Sequence, residues 1–249
     1  MTANRRSAVL TGLGLLGFLF CDVAIAGPPY AADDPQPTNV RQYEVYLFSS
    51  GQQQVDGHSA VIGVDFNYGA APDLQLTAVL PVVRDAANDA RVATGLGNVE
   101  LAAKYRFLHQ ADSGWDVAVF PRVFLRSASA SVGEQHAALL LPIWLEKDWN
   151  NWATFGGGGC AINQGGESRN YCLLAWALTR QLLPTLRLGA ELQYQTADTR
   201  NGRASSAVGA GLQYDINEYC QLLAYMAPGL QNTSQTARYS WYAALLLRF

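Results

Sequence analysis

Charge is the scarcest thing in this chain. Only 15% of its 249 residues are Asp, Glu, Lys or Arg, against about 25% in an ordinary soluble domain. The formal net charge is −3, which excludes the strongly basic surface of a nucleic-acid binder. No stretch has the roughly 18 consecutive apolar residues of a membrane-spanning helix. Histidine is nearly absent, with only His58, His109 and His136. Base-assisted nucleophilic chemistry therefore has few candidates, and none of the three stands in a recognisable catalytic order. The nearest lipase-like segment, Asn201-Gly202-Arg203-Ala204-Ser205, has no His upstream of it. We expect no enzymatic activity, with a lipid-modifying barrel enzyme as the weakest of the readings. Cysteine is also sparse, without the C-x-x-C spacing of a metal or redox site. We expect no metal and no cofactor.

What is abundant is apolar side chain, 49% by count, and it is arranged with a period of two. In the last eleven residues, Tyr239, Trp241, Ala243, Leu245, Leu247 and Phe249 share one face, and Ser240, Tyr242, Ala244, Leu246 and Arg248 share the other. Alternation of this kind is a strand. Aromatics at both ends with aliphatics between are the pattern of a strand crossing a bilayer in a closed barrel. The same alternation recurs upstream. Ile62, Val64 and Phe66 oppose Asp65 and Asn67, and Leu101, Ala103 and Tyr105 oppose Glu100, Lys104 and Arg106. In all, twelve strands are expected between Tyr43 and Phe249. Short connections such as Gly69–Asp73, Asp148–Asn151 and Asp215–Glu218 alternate with longer ones such as Ser49–Gly57, Arg84–Thr94, Ser127–Gln135 and Gly229–Ala237. Bacterial barrels have an even strand number, short periplasmic turns and longer outer loops. A backbone group with no water to bond forces such a sheet to close on itself.

The fold class expected is therefore all-β: a transmembrane antiparallel up-and-down barrel of about 12 strands after a cleaved signal peptide. Residues 1–26 supply that signal, with Arg5 and Arg6, an apolar run from Val9 to Phe20, and Ala24-Ile25-Ala26 as the cleavage site. Residues 27–41 carry four prolines and cannot donate a regular ladder. They are expected as an irregular periplasmic segment, an uncommitted tail in preference to a segment folded back into a lumen. Residues 42–249 are the barrel. Both termini are then periplasmic, in the outer membrane of a Gram-negative bacterium. The partners expected are outer-membrane lipids, a small solute, and the assembly machinery, which would read the final strand ending in Phe249.

On this face assignment the lumen is lined by Glu44, Asp65, Glu100, Lys104, Arg106, Asp116, Arg122, Arg126, Glu146, Arg187, Glu191 and Asp215. Aromatics Tyr46, Phe48, Phe120, Phe124 and Trp144 share it. A mixed-sign interior suits passage of a solute; the same charges could instead pair and fill a narrow barrel. Channel and plugged barrel both stand at this point. An arginine at Leu101 or Leu188 should block assembly, and one at Gln75 should not. After signal cleavage Cys160, Cys172 and Cys220 remain. Cys160 and Cys172 flank Gly166 at equal distances and would face each other in a hairpin, as a disulfide or as two small apolar fillers. The Gly156–Gly159 run lacks the Lys-Ser/Thr and helix of a phosphate loop, and marks a bend or close backbone approach in a strand.

Several segments together resemble one family. They are Gly27-Pro28-Pro29-Tyr30 with Asp33-Asp34-Pro35; Asp65-Phe66-Asn67-Tyr68-Gly69; Gly97-Asn98-Val99-Glu100-Leu101 with Lys104-Tyr105-Arg106-Phe107; Pro142 to Asp148; Gly156 to Gly159 with Ile162-Asn163; and Gly189-Ala190-Glu191-Leu192 with Gln195 to Asp198. The chain resembles the phenol meta-pathway degradation-like family of outer-membrane transporters over nearly all of its length after residue 26. It departs at Cys160 and Cys172, where aromatics are expected, and at Leu230–Ala237. The resemblance implies an outer-membrane barrel that passes small solutes, aromatic or hydrophobic compounds among them.

Overall fold

The computed structural model describes residues 29–87, 92–132, 136–163 and 165–249. The expected signal segment, residues 1–26, lies outside them, as do parts of three of the longer connections. Among the described residues there are fourteen strand segments and one single-turn helix. The strands are β1 (Tyr43–Gln53), β2 (Gly57–Ala71), β3 (Leu74–Ala87), β4 (Ala93–Leu96), β5 (Glu100–Leu108), β6 (Asp116–Val119) and β7 (Arg122–Phe124). They continue as β8 (Ala138–Trp149), β9 (Trp152–Asn163), β10 (Tyr171–Leu183), β11 (Leu186–Gln195), β12 (Ser205–Asn217), β13 (Cys220–Gln231) and β14 (Tyr239–Arg248). The helix, α1 (Gln110–Ser113), sits in the Leu108–Gly114 connection and ends at Gly114 in the left-handed conformation, φ 83°.

Each strand pairs antiparallel with its neighbours, and β1 pairs with β14 from Glu44 opposite Arg248 to Gln53 opposite Tyr239. That pairing closes the sheet and removes its edges. The fourteen segments form twelve staves, because β4 with β5 and β6 with β7 are interrupted single strands. Within the second pair the register is continuous: Val119 faces Ile143 and Arg122 faces Leu140. The gap falls where Pro121 meets the β8 strand beside Pro142, two residues with no N–H to donate. Between β4 and β5 the register against β3 shifts by one, with Val82 opposite Leu96 but Val79 opposite Glu100, and Pro81 stands at that shift.

The outer wall is the predicted apolar face. Leu47, Ile62, Phe66, Leu101, Ile143 and Leu192 are among its exposed side chains. The ladders run past the expected strand ends. β1 continues to Gln53 and turns back within 54–56, where Gln54 N donates to Gly57 O at 2.9 Å. β13 likewise reaches Gln231. The Gly, Ser and Gln content that reads as loop is polar strand standing beyond the apolar band.

β9 is pinched. A Cβ on Gly157 would lie 2.0 Å from Ile143 O, one on Gly158 2.2 Å from Leu173 O, and one on Gly159 2.3 Å from Leu141 O. The bare backbone lets β8 and β10 close in from both sides. Trp144 inside and Trp176 outside lie across from Gly157 and Gly156 and cover them. Gly157 also has φ +150°. Substituting Gly157→Ala costs about 1–3 kcal/mol in backbone conformation, before the contact with Ile143 is relieved. We expect a lower melting temperature of the heat-modifiable band on a gel, with Gly166→Ala unchanged, since nothing lies within 4 Å of a Cβ there. Just beyond the pinch, Cys160 and Cys172 are register partners exposed on the outer face and joined by a disulfide. Cys220 is free.

Candidate functional site

The barrel is not empty. Pro29–Asn39, expected as an uncommitted tail, runs up inside it. The chain enters where Arg41 N donates to Gly69 O at 2.7 Å and Val40 bridges Gly69, beside the tight turns. From there it touches staves all round the wall, which only an interior segment can do. Thr38 N and Oγ1 donate to Gln75 on β3, at 2.8 and 3.0 Å. The Gln36 amide donates to Asp116 on β6 at 3.1 Å and to Glu146 on β8 at 3.3 Å, while its carbonyl accepts from Arg106 on β5. Asp33 and the carbonyl of Asp34 accept from Lys104 Nζ at 2.9 and 2.8 Å. Ala31 N and Ala32 N both donate to the Glu191 carboxylate on β11, at 3.1 and 2.6 Å, and Tyr225 OH donates to the same group at 2.5 Å. Tyr30 OH donates to Gly211 O on β12 at 3.1 Å.

The reason lies in the prolines. A segment that cannot form a ladder must satisfy its polar backbone with side chains, and a lumen rich in carboxylates and amides supplies them. The apolar part of the segment completes a mid-barrel layer. Tyr30 meets Phe155 and Tyr225 edge-on, with centroids 5.6 Å apart in each case. Phe48 stacks on Tyr242 at 6.1 Å, and Phe120 and Trp144 are buried in the same cluster. The layer divides the interior. A cavity of about 410 Å³ lies on the side of the tight turns and one of about 140 Å³ on the side of the longer loops.

Of the twelve residues predicted for the lumen, Glu44, Asp65, Glu100 and Lys104 border the larger cavity, as do Arg122, Glu146, Arg187 and Asp215. Arg106 and Asp116 lie at its turn end, 3.5 Å apart and both near Gln36. Glu191 sits under the plug, 1% exposed. Arg126 stands apart, exposed beyond the end of β7. Ser127 N donates to Leu125 O at 2.8 Å there, so the chain turns and alternation no longer decides which way a side chain faces. Many of the charges are paired. Arg122 donates to Glu100 through Nε and Nη2, at 2.6 and 2.9 Å, and lies over Phe120 and Phe124. Arg248 stands 3.7 Å from both Glu44 and Asp215. In the β2–β3 turn, hydrogen bonds from Arg106 and His109 outweigh burial and hold the Asp73 carboxyl below the usual carboxylate range.

Sequence reasoning missed Tyr30, Asp33, Gln36 and Thr38 as lumen residues, together with Tyr225. One signal was available: Asp33-Asp34-Pro35 lies among the segments shared with the family. No group of His, Cys, Asp and Glu among the described residues is arranged to hold a metal.

Solved structures share this architecture. An outer-membrane channel from Pseudomonas putida F1 superposes with a TM-score of 0.71 at 12% identity, covering 87% of this chain and 98% of that one. The KdgM porin, in complex with disordered oligogalacturonate, gives 0.55 at 12% identity, covering 82% and 98%. The β-domain of the Bordetella autotransporter BrkA gives 0.55 at 12%, covering 83% and 98%. No curated protein sequence matches this one. Residues 32–242 match the family described as "Putative MetA-pathway of phenol degradation", the family read from the sequence segments, and the chain belongs to it.

Proposed function

We propose that this chain is a channel for small solutes in the outer membrane of a Gram-negative bacterium, held closed at rest by residues 29–39. The observation that carries the reading is the contrast between the two faces of the wall. The outside is a band of exposed Leu, Ile, Phe and Val; the inside carries acidic and basic side chains, and keeps a cavity of about 410 Å³ beside the plug. A barrel that only had to be stable would fill that space with side chains. Both termini are assigned to the periplasm, since β1 begins and β14 ends at the tight-turn end, Glu44 facing Arg248. Exposed Phe249 closes the final strand, where the assembly machinery would engage it. Aromatic or hydrophobic solutes fit the lumen aromatics Phe48, Phe120 and Trp144 and the family's description.

The plug also favours a second reading, a permanently sealed structural barrel. Swelling of proteoliposomes in a panel of phenols, fatty acids and sugars separates the two. The channel reading expects swelling with at least one class; no swelling with any solute, by the full chain and by a variant lacking residues 29–39 alike, leaves the sealed barrel.

A further inference from the structure

We propose that the smaller cavity, on the loop side of the plug, is a binding site for a small uncharged molecule bearing hydroxyl groups. The proposal deepens the channel reading and rests on it for the cavity's outward sidedness. The two cavities have opposite chemistry. The larger one is lined by carboxylates, guanidinium groups and an ammonium; no charged residue lines the smaller one. An ionised ligand entering it would lose water with no countercharge to replace it, a large penalty. A neutral ligand meets amides and hydroxyls instead.

Part of the hydrogen-bonding capacity of the wall is unused. Gln52 is only 9% exposed, borders the cavity, and its carboxamide has no hydrogen-bond partner among the described residues. Its register partners on either side are Ser240 on β14 and Ser59 on β2, which places three neutral polar groups in a row on the inner face. Gln52 and Ser240 border the cavity, and Ser59 lies behind Gln52, outside its lining. Across the cavity Gln193 donates one N–H to Tyr225 OH at 3.2 Å, which leaves its carbonyl to accept. A neutral ligand bearing hydroxyl groups would bond the carboxamide of Gln52, the hydroxyl of Ser240 and the remaining carbonyl of Gln193, all of which border the cavity. The remaining wall is small and apolar, with Ala227 1% exposed. A volume of about 140 Å³ is close to that of cavities that hold a single benzene-sized ring. Ala31 of the plug forms part of the wall, so the occupant would touch the segment that closes the barrel.

The test is calorimetric titration of the full chain in a non-ionic detergent. The neutral probes are resorcinol, a planar ring, and 1,2-cyclohexanediol, a puckered one; benzoate and benzylamine are their charged counterparts. At least one neutral probe is expected to bind and neither charged one. Gln52→Leu should weaken binding about tenfold, the effect of about one lost net hydrogen bond. Ala227→Leu should abolish it by filling the space, and Ser240→Ala offers a milder change if that variant misfolds. Binding of benzoate or benzylamine as tight as the neutral probes would overturn the proposal. So would unchanged affinity in the folded Gln52→Leu variant, or no binding by any probe. Binding without liposome swelling by either the full chain or the variant lacking residues 29–39 would leave the site standing and remove the channel; swelling without binding would do the reverse.

Discussion

Arginine in place of Leu101 or Leu188 stops the chain assembling into bilayers. Both side chains lie on the outer wall, 46% and 39% exposed, and both belong to long ladders within the apolar band. A cationic side chain on the lipid face near the midplane costs about 2–4 kcal/mol, a large share of the about 5–15 kcal/mol that holds a typical domain together. The fraction reaching the heat-modifiable folded form in vesicles should fall sharply for either variant. The control must be an inward position. Gln75, the choice from sequence, is unsuitable, because its amide binds Thr38, Asn67 and Thr77. Gln213→Arg on the cavity wall should assemble like the unaltered chain. Equal tolerance at all three positions would reverse the faces.

Removing the Lys104 charge releases the plug. Lys104 is 5% exposed and Asp33 3%. Their pair at 2.9 Å is the only ion pair that Asp33 makes among the described residues. Lys104→Met leaves a buried carboxylate without a partner, and breaking such a pair from one side typically costs about 3–5 kcal/mol. The barrel need not unfold to relieve this. The segment can leave, carrying Asp33 into water. We expect increased protease cleavage within 29–39, with the folded band retained. The double variant Asp33→Asn with Lys104→Met removes both charges and should lie nearer the unaltered chain. Equal cleavage in the single variant and the unaltered chain would show that the pair does not hold the segment.

The barrel was legible in the sequence because a period of two needs no knowledge of partners. Each stave announces its two faces through its own residues, as in Leu101 against Glu100 or Ile143 against Trp144 and Glu146. The interior was not legible to the same degree. Asp33 meets Lys104 across 71 residues of sequence and Ala32 meets Glu191 across 159. No local pattern carries such distances. Proline content marked residues 27–41 as unable to donate a regular ladder; among the described residues 29–41, Val40 pairs with Gly69 in an isolated bridge and none belongs to a strand. Proline content could not indicate that a lumen full of carboxylates would satisfy the backbone instead. Arg126 failed for the opposite reason: alternation was extended one turn past the end of its strand.

The most direct test of the plugged-channel account is single-channel conductance of the full chain against a variant lacking residues 29–39, in the same planar bilayer. The account predicts rare or small conductance steps for the full chain and frequent, larger, stable ones for the shortened chain. Indistinguishable traces from the two would contradict it.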